Sequence, residues 1–166
     1  DVLIALPSSG LHSNGFSLVR RVFDVEKRDL SAYSEELGMR VGEALLTPTR
    51  IYVKPILALM EKVHVRSVCH ITGGGFYENI PRALPSGLTA RIAKKNVQTP
   101  PIFAMLAKLG GIPERDMFNT FNMGVGMCAI VPQTEADEAV RALRAAGEGA
   151  YILGEVVPGD EGVELA

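Results

Sequence analysis

Two short segments combine hydroxyl, amide and histidine side chains with glycines, and that combination suits a site for a small anionic ligand. The first segment joins a predicted strand, 2–6, to a predicted helix that begins near Phe16. Its polar and flexible residues are Ser8, Ser9, Gly10, His12, Ser13, Asn14 and Gly15. The side chains offer hydrogen-bond donors and the glycines let the backbone approach a ligand. The helix directs free N–H groups and its positive dipole end into the same space.

This first segment therefore predicts an anion site that needs no lysine. A second interpretation stays open, in which the segment only starts the helix and Asn14 is its N-cap residue. Loops of serine, asparagine and glycine are common at helix starts, so the residues alone do not decide between the two.

The second segment follows another predicted strand, 67–72, and contains three consecutive glycines. Its candidate residues are His70, Thr72, Gly73, Gly74, Gly75, Asn79 and Arg82. Each glycine costs roughly 0.5–1 kcal/mol relative to alanine in regular structure, which a chain tolerates where its backbone must approach something closely. His70 could position or protonate a substrate atom, or be a satisfied strand histidine. On a predicted helix, 76–84, Asn79 and Arg82 would share a face, and Arg82 could hold a phosphate or lie solvated there.

Two other segments give weaker signals. Residues 47–50 could supply a hydroxyl and a guanidinium but are also typical of a turn, and 122–127 could bring backbone near a ligand or be a glycine-containing core strand. His64 ends a predicted helix and is interpreted as structural. The chain has no GK[ST] or GxGxxG motif and no carboxylate cluster with metal-ligand spacing, so we predict no metal or nucleotide site of those kinds.

The composition is that of a globular protein of one domain, with 166 residues, 47% hydrophobic residues and 22% charged residues. A net charge of −2 provides no strong positive field to attract a nucleic acid or an anionic membrane. No apolar stretch approaches the roughly 20 residues of a membrane-spanning helix. We therefore expect neither nucleic acid nor membrane as a partner.

The two cysteines and the first residues bear on cellular context. Cys69 and Cys128 lie in apolar runs and are interpreted as small buried hydrophobes, with a disulfide or a catalytic thiol as the alternative. Buried free thiols fit a reducing compartment, so a cytoplasmic location is expected. The chain starts without methionine inside a predicted strand, from which we expect a fragment whose upstream domain is missing.

The order of predicted elements favours a mixed sheet covered by helices, which is an α+β fold. The segment 31–46 is interpreted as irregular or partly helical. The helix at 53–63 is expected to bury one face, formed by Ile56, Leu57, Met60 and Val63, and the helix at 134–146 is expected to open on Thr134 as a cap. Strands are predicted at 2–6, 67–72, 88–93, 123–131 and 151–157, and helices at about 16–23, 53–63, 76–84, 100–109, 113–121 and 134–146.

Four runs together resemble the successive signatures of the C-terminal domain of the aminoimidazole ribonucleotide synthetase family. They occur in the family's order and span nearly the whole chain, at 8–20, 46–52, 70–82 and 121–127. Looser forms of the second and fourth runs occur in wider relatives that activate oxygen atoms with ATP. Those relatives include formylglycinamidine ribonucleotide synthetase, selenophosphate synthetase, thiamin-monophosphate kinase and a hydrogenase-maturation protein.

The resemblance implies a three-layer α/β/α domain with a mixed sheet, spanning 1–166 as the substrate-side half of a cyclo-ligase. It implies that formylglycinamidine ribonucleotide is held by Ser9, Gly10, His12, Ser13 and Asn14, with His70, Thr72 and 73–75 near the reacting amide. His12 and His70 become the candidate catalytic residues. ATP and magnesium would bind mainly to an N-terminal ATP-binding domain that this chain lacks, and the full-length enzyme would be a homodimer.

Two alternatives stay open on the sequence. The chain could be a non-catalytic association module of the same fold, or a relative that activates another small substrate, of the selenophosphate or thiamin-phosphate type. An acidic, glycine-containing ATP domain upstream would favour the cyclo-ligase over the association module.

Overall fold

In the computed structural model, which describes residues 1–166, a six-stranded sheet forms the centre of the molecule. Its strand order is β4-β6-β1-β7-β5-β8, and a separate two-stranded hairpin is formed by β2 and β3. Neighbouring strands are antiparallel except β5 and β8, which are parallel, so the sheet is mixed as predicted. The strands are β1 Val2–Pro7, β2 Tyr33–Ser34, β3 Met39–Arg40, β4 Ser67–His70, β5 Leu88–Ile92, β6 Val125–Val131, β7 Tyr151–Pro158 and β8 Val163–Leu165.

Helices cover both faces of this sheet and give it three layers. The helices are α1 Phe16–Phe23, α2 Val41–Leu45, α3 Val53–Met60, α4 Gly75–Asn79, α5 Pro101–Gly110, α6 Glu114–Thr120 and α7 Ala136–Ala145. In β1, Leu3 and Ala5 join one hydrophobic cluster with residues of α1, α4, α5 and α6, and Ile4 joins another with residues of α3 and α7. A strand buried on both faces requires a continuous apolar sequence, which is what β1 has. No helix is long and apolar enough to span a membrane.

Several local predictions were wrong. The N-cap of α1 is Gly15 in a left-handed conformation and not Asn14, and Thr134 lies in a short 3₁₀ turn before α7, whose N-cap is Glu135. Residues 47–50 form neither a turn nor a helix or strand. In α3, Leu57 is 58% exposed.

Most of the remaining differences concern elements of two to five residues, which carry little periodicity, and one concerns the buried face of α3. The hairpin β2–β3 and α2 lie in the segment interpreted as irregular or partly helical, and β8 was not predicted. The face expected for α3 was wrong in part, because Met60 is exposed with Leu57 while Ile56 and Val63 are buried as predicted and Leu59 joins them. Pro55 within this short helix is also buried.

The sheet brings the two glycine-containing segments together at one end of its strands. In the register, Met127 of β6 pairs with Leu6 of β1 on one side and with His70 of β4 on the other. Both segments therefore leave the sheet from the same end of neighbouring ladders. Because both segments start at this end of the strands, residues far apart in sequence can form one site.

Candidate substrate site

The first loop, residues 8–15, is anchored to the start of β6. The Ser8 N–H donates to the Gly124 carbonyl at 2.8 Å. The buried Asn122 amide donates to the Gly10 carbonyl at 2.9 Å, and its Oδ1 accepts from the Gly124 N–H at 2.9 Å. Asn122 thus fixes the loop relative to the sheet, which gives the weakly signalled segment 122–127 a positioning role.

His12 is the central side chain of this loop. It is only 5% exposed, and its backbone is left-handed with φ 57°. The Ser9 N–H donates to Nε2 at 3.2 Å, so in the neutral ring the proton resides on Nδ1. Two buried side-chain polar atoms lack a hydrogen-bond partner, and they are His12 Nδ1 and Ser8 Oγ. Because buried polar groups are nearly always satisfied, these two atoms need a partner from outside the chain, an ordered water or a ligand, and the imidazole N–H would donate to it.

Burial keeps His12 neutral. Desolvation, followed by the nearby charges of His70 and Arg50, lowers the pKa of His12 to about 4. A charged imidazole would be costly there because the ring is removed from water beside a fixed guanidinium. His12 is therefore a neutral hydrogen-bond donor near pH 7.

Three rings form a cluster at the mouth of the site. The ring centroids of His12, His70 and Tyr52 lie 6.1–6.2 Å apart in each pair. The Tyr52 hydroxyl donates to the Pro7 carbonyl at 2.8 Å, and burial raises the pKa of Tyr52, so the phenol stays protonated. A Cβ on Gly126 would overlap Tyr52 Oη and reach within 2.7 Å of His12 Cε1, so this position needs glycine for the cluster to close.

The segment 47–50, which has no regular secondary structure, lies beside the first loop. Ser9 Oγ donates to the Pro48 carbonyl at 2.6 Å, and Ser13 Oγ lies 3.2 Å from Thr49 Oγ1. The Arg50 guanidinium is 37% exposed and is held at 2.8 Å by the buried carboxylate of Glu148. A guanidinium fixed in this way provides a cation at the site, as the weaker of the sequence signals had suggested.

The second loop, residues 72–75, is held by Asn79. Its amide donates to the Thr72, Gly73 and Gly75 carbonyls at 3.3, 3.1 and 2.7 Å, and Thr72 Oγ1 donates to its Oδ1 at 3.1 Å. Asn79 is buried, and its amide is occupied by the loop itself. A Cβ on Gly73 would lie 3.7 Å from Asn14 Oδ1, so the two loops meet at these residues.

Arg82 does not join this site. It lies in a 3₁₀ turn after α4, is 69% exposed and pairs with Glu78 at 3.4 Å. It lines a groove with Asp1 and Ser67, which lie at the starts of β1 and β4, at the opposite end of these strands from His70. The shared face expected for Asn79 and Arg82 does not form because the helix ends at Asn79.

Comparison with known proteins identifies the family to which this chain belongs. Residues 1–165 match the family described as AIR synthase related protein, C-terminal domain. The chain belongs to this family. The cyclo-ligase of Lachnoclostridium phytofermentans, named phosphoribosylformylglycinamidine cyclo-ligase, is 54% identical over 166 residues, which is 99% of this chain and 49% of the relative. The protein of that name from Shouchella clausii is 52% identical over 160 residues, 95% of this chain and 46% of the relative.

The chain spans about half the length of the curated relatives it matches. Solved structures show the same fold at low sequence identity. A thiamine-monophosphate kinase from Stenotrophomonas maltophilia aligns with TM-score 0.65 and 15% identity, covering 99% of this chain and 49% of its own. A hydrogenase maturation protein HypE aligns with TM-score 0.53 and 15% identity over 98% of this chain and 50% of its own.

Within this AIR synthase related domain, two residues of the site were not among the candidates taken from the sequence. Tyr52 lies just before α3, at the end of the run 46–52, and Glu148 lies just after α7; the residue types around them did not single out either side chain. Both reach the site through the packing of α3 and α7 on one face of the sheet. A prediction would have required the register of three strands in addition to local motifs.

The remaining reactive side chains of the domain are accounted for by packing. Cys69 and Cys128 are free, buried and directly paired across β4 and β6, which agrees with their interpretation as small hydrophobes. No group of three histidine, cysteine, aspartate or glutamate side chains is arranged to hold a metal ion. The site residues therefore do not fit a magnesium site.

Proposed function

We propose that this chain is the substrate-side half of an ATP-dependent phosphoribosylformylglycinamidine cyclo-ligase of purine biosynthesis. The observation that supports it best is the pair of unpartnered buried atoms, His12 Nδ1 and Ser8 Oγ, in a loop of glycines at a helix start. In this proposal they and the loop amides receive the ribose phosphate of formylglycinamidine ribonucleotide. The relatives that are about 50% identical in sequence are named as cyclo-ligases, whereas the thiamine-monophosphate kinase is only 15% identical. These names favour formylglycinamidine ribonucleotide over thiamine monophosphate as the substrate.

The reaction in this proposal uses ATP to make an oxygen atom a leaving group. The formyl amide oxygen takes the γ-phosphoryl group and ADP is released; an amidine nitrogen then attacks the formyl carbon. The carbon–oxygen bond breaks, phosphate leaves, and the attacking nitrogen loses its proton as the ring closes. One methylene proton then moves to the exocyclic imine nitrogen, which gives the aromatic aminoimidazole. His70, exposed at the end of β4 and one of the three clustered rings, is the candidate that takes the proton from the attacking nitrogen, while neutral His12 binds and orients substrate.

The partners proposed for this half follow from its share of the relatives' length. ATP and magnesium are assigned to a second, N-terminal half, and a cytoplasmic homodimer is proposed for the whole enzyme. Arg50 contributes a fixed positive charge to the phosphate-binding side, which requires no lysine.

We expect the isolated chain to show no turnover, because it lacks the half assigned to ATP. Fusing it to the half of the L. phytofermentans cyclo-ligase that it does not match should restore ribonucleotide-dependent ADP release. In the fused chain, His70→Asn should lower kcat on the order of 10²-fold, as expected for loss of a proton acceptor. His12→Asn should mainly raise KM, by roughly tenfold or more, as expected for loss of a hydrogen bond to a charged group.

The third histidine of the chain provides the control. His64 lies outside the site. Its ring contacts Arg66 and its backbone N–H donates to the Glu135 carboxylate, so His64→Asn should leave kcat and KM unchanged. Substrate-dependent ADP release by the isolated chain, or a fused enzyme equally insensitive to all three substitutions, would contradict the proposed function.

A further inference from the structure

One face of α3 presents apolar side chains to solvent. Val53, Leu57 and Met60 follow the i, i+4, i+7 spacing of a helical stripe and are 62%, 58% and 49% exposed. Ile51, directly before the helix, and Val68 on the edge strand β4 are exposed beside them at 79% and 37%. Single exposed apolar residues are ordinary, but a contiguous group of this kind marks an interaction surface. We call these five residues the α3 face.

The α3 face borders the candidate substrate site. A groove of ≈ 380 Å³ is lined by nine residues, seven of them hydrophobic, which include Ile51, Val53, Leu57 and Val68. Its other walls include Arg50, Tyr52 and His70. Whatever covers this groove therefore lies against the guanidinium and the ring cluster, and would close that side of the site.

The lengths of related chains indicate what that cover is. The matching part is 46% of the S. clausii cyclo-ligase and 49% of the L. phytofermentans cyclo-ligase. It is 49% of the thiamine-monophosphate kinase chain and 50% of the HypE chain. About half of each of those chains therefore lies outside the part that matches this domain. If ATP binds to that other half and the ribonucleotide to this domain, the two must meet for the reaction to occur. The other half must therefore lie against the end of the strands that carries His70.

We propose that the α3 face is the docking surface for the other, ATP-binding half of the cyclo-ligase, which seats an apolar surface on Val53, Leu57 and Met60. This inference rests on the proposed function for the identity of the partner. It assigns the α3 face to the partner and leaves the first loop to the ribonucleotide. A second copy of this chain is the competing occupant.

Oxidation of methionine by hydrogen peroxide measures the cover directly and does not depend on turnover. The thioether takes one oxygen atom to become the sulfoxide while peroxide is reduced to water. Met60 should be oxidised at least tenfold more slowly in the fused chain than in the isolated chain. Met39, which is 39% exposed in the β2–β3 hairpin, should be oxidised at the same rate in both.

Matched substitutions test whether the protection arises from this face. Leu57→Glu should leave the Tm of the isolated chain unchanged and restore fast Met60 oxidation in the fused chain. Leu109→Glu, at a similarly exposed apolar position on α5, should change neither. Equal oxidation of Met60 in the fused and isolated chains would overturn the proposal even if the fused enzyme turns over. Sedimentation of the isolated chain as a dimer that Leu57→Glu dissociates would overturn it in favour of a second copy.

Discussion

Gly75→Ala should be the most damaging single methyl addition in the second loop, lowering the free energy of unfolding by about 3 kcal/mol or more. A Cβ at this position would overlap the backbone carbonyl oxygen of Phe118, and backbone cannot rotate away as a side chain can. The residue also has φ +55°, which adds a cost of roughly 1–2 kcal/mol for a non-glycine residue. Chemical denaturation of the purified variant measures the loss.

The other glycines of the same run provide the matched controls. Gly73→Ala would meet only Asn14 Oδ1 at 3.7 Å, an ordinary contact, so its stability should stay within about 0.5 kcal/mol of wild type. Gly74→Ala should fall between the two, because it has φ +88° and its Cβ would crowd Glu78, whose carboxylate can rotate away but whose Cβ, 2.6 Å distant, cannot. If Gly73→Ala proved as destabilising as Gly75→Ala, the described packing of the loop against α6 would be wrong.

Lowering the pH from 6.5 to 4 should remove stability on the order of 3 kcal/mol through His12 alone. Burial lowers the pKa of His12 from 6.5 to about 4 in the folded chain, so between these values the unfolded chain binds the additional proton. Stability therefore rises with pH through this window, and the contribution of His12 is fully present above pH 6.5. Urea denaturation at half-unit steps of pH measures it.

His12→Asn is the control for this pH dependence. Asparagine tolerates the left-handed backbone of position 12 and does not titrate in this range. The variant will be less stable at neutral pH because packing is lost, but its stability curve between pH 4 and 6.5 should be flatter than that of wild type by the amount assigned to His12. Parallel curves for the two proteins would show that His12 is not the buried neutral group described here.

Long, strongly patterned segments determined most of the fold, and these were readable in the sequence. The apolar run of β1 and the helical spacing of α1 and α5 follow from periodicity, and a mixed sheet covered by helices follows from their order. The hairpin β2–β3 and strand β8 were not predicted, because two or three residues carry no period. The exposed side of α3 was predicted to be buried because hydrophobicity alone does not distinguish a core face from a docking face.

The candidate site shows a similar division. Both glycine-containing loops were identified from residue types, but which of their side chains remain free was not. Asn79 uses its amide on the loop carbonyls and Arg82 lies toward the other end of the strands, and both facts depend on where α4 ends. The unpartnered nitrogen of His12 depends on a backbone hydrogen bond from Ser9, which no spacing rule predicts.

The central claim is that the first loop of this chain binds the ribonucleotide, and calorimetric titration of the chain with formylglycinamidine ribonucleotide tests it most directly. The Ser8 hydroxyl makes no hydrogen bond within the chain, so Ser8→Ala should keep the Tm of wild type and yet weaken binding roughly tenfold. ATP should give no heat of binding with either protein. A ribonucleotide that fails to bind, or that binds wild type and Ser8→Ala equally well, would contradict the account.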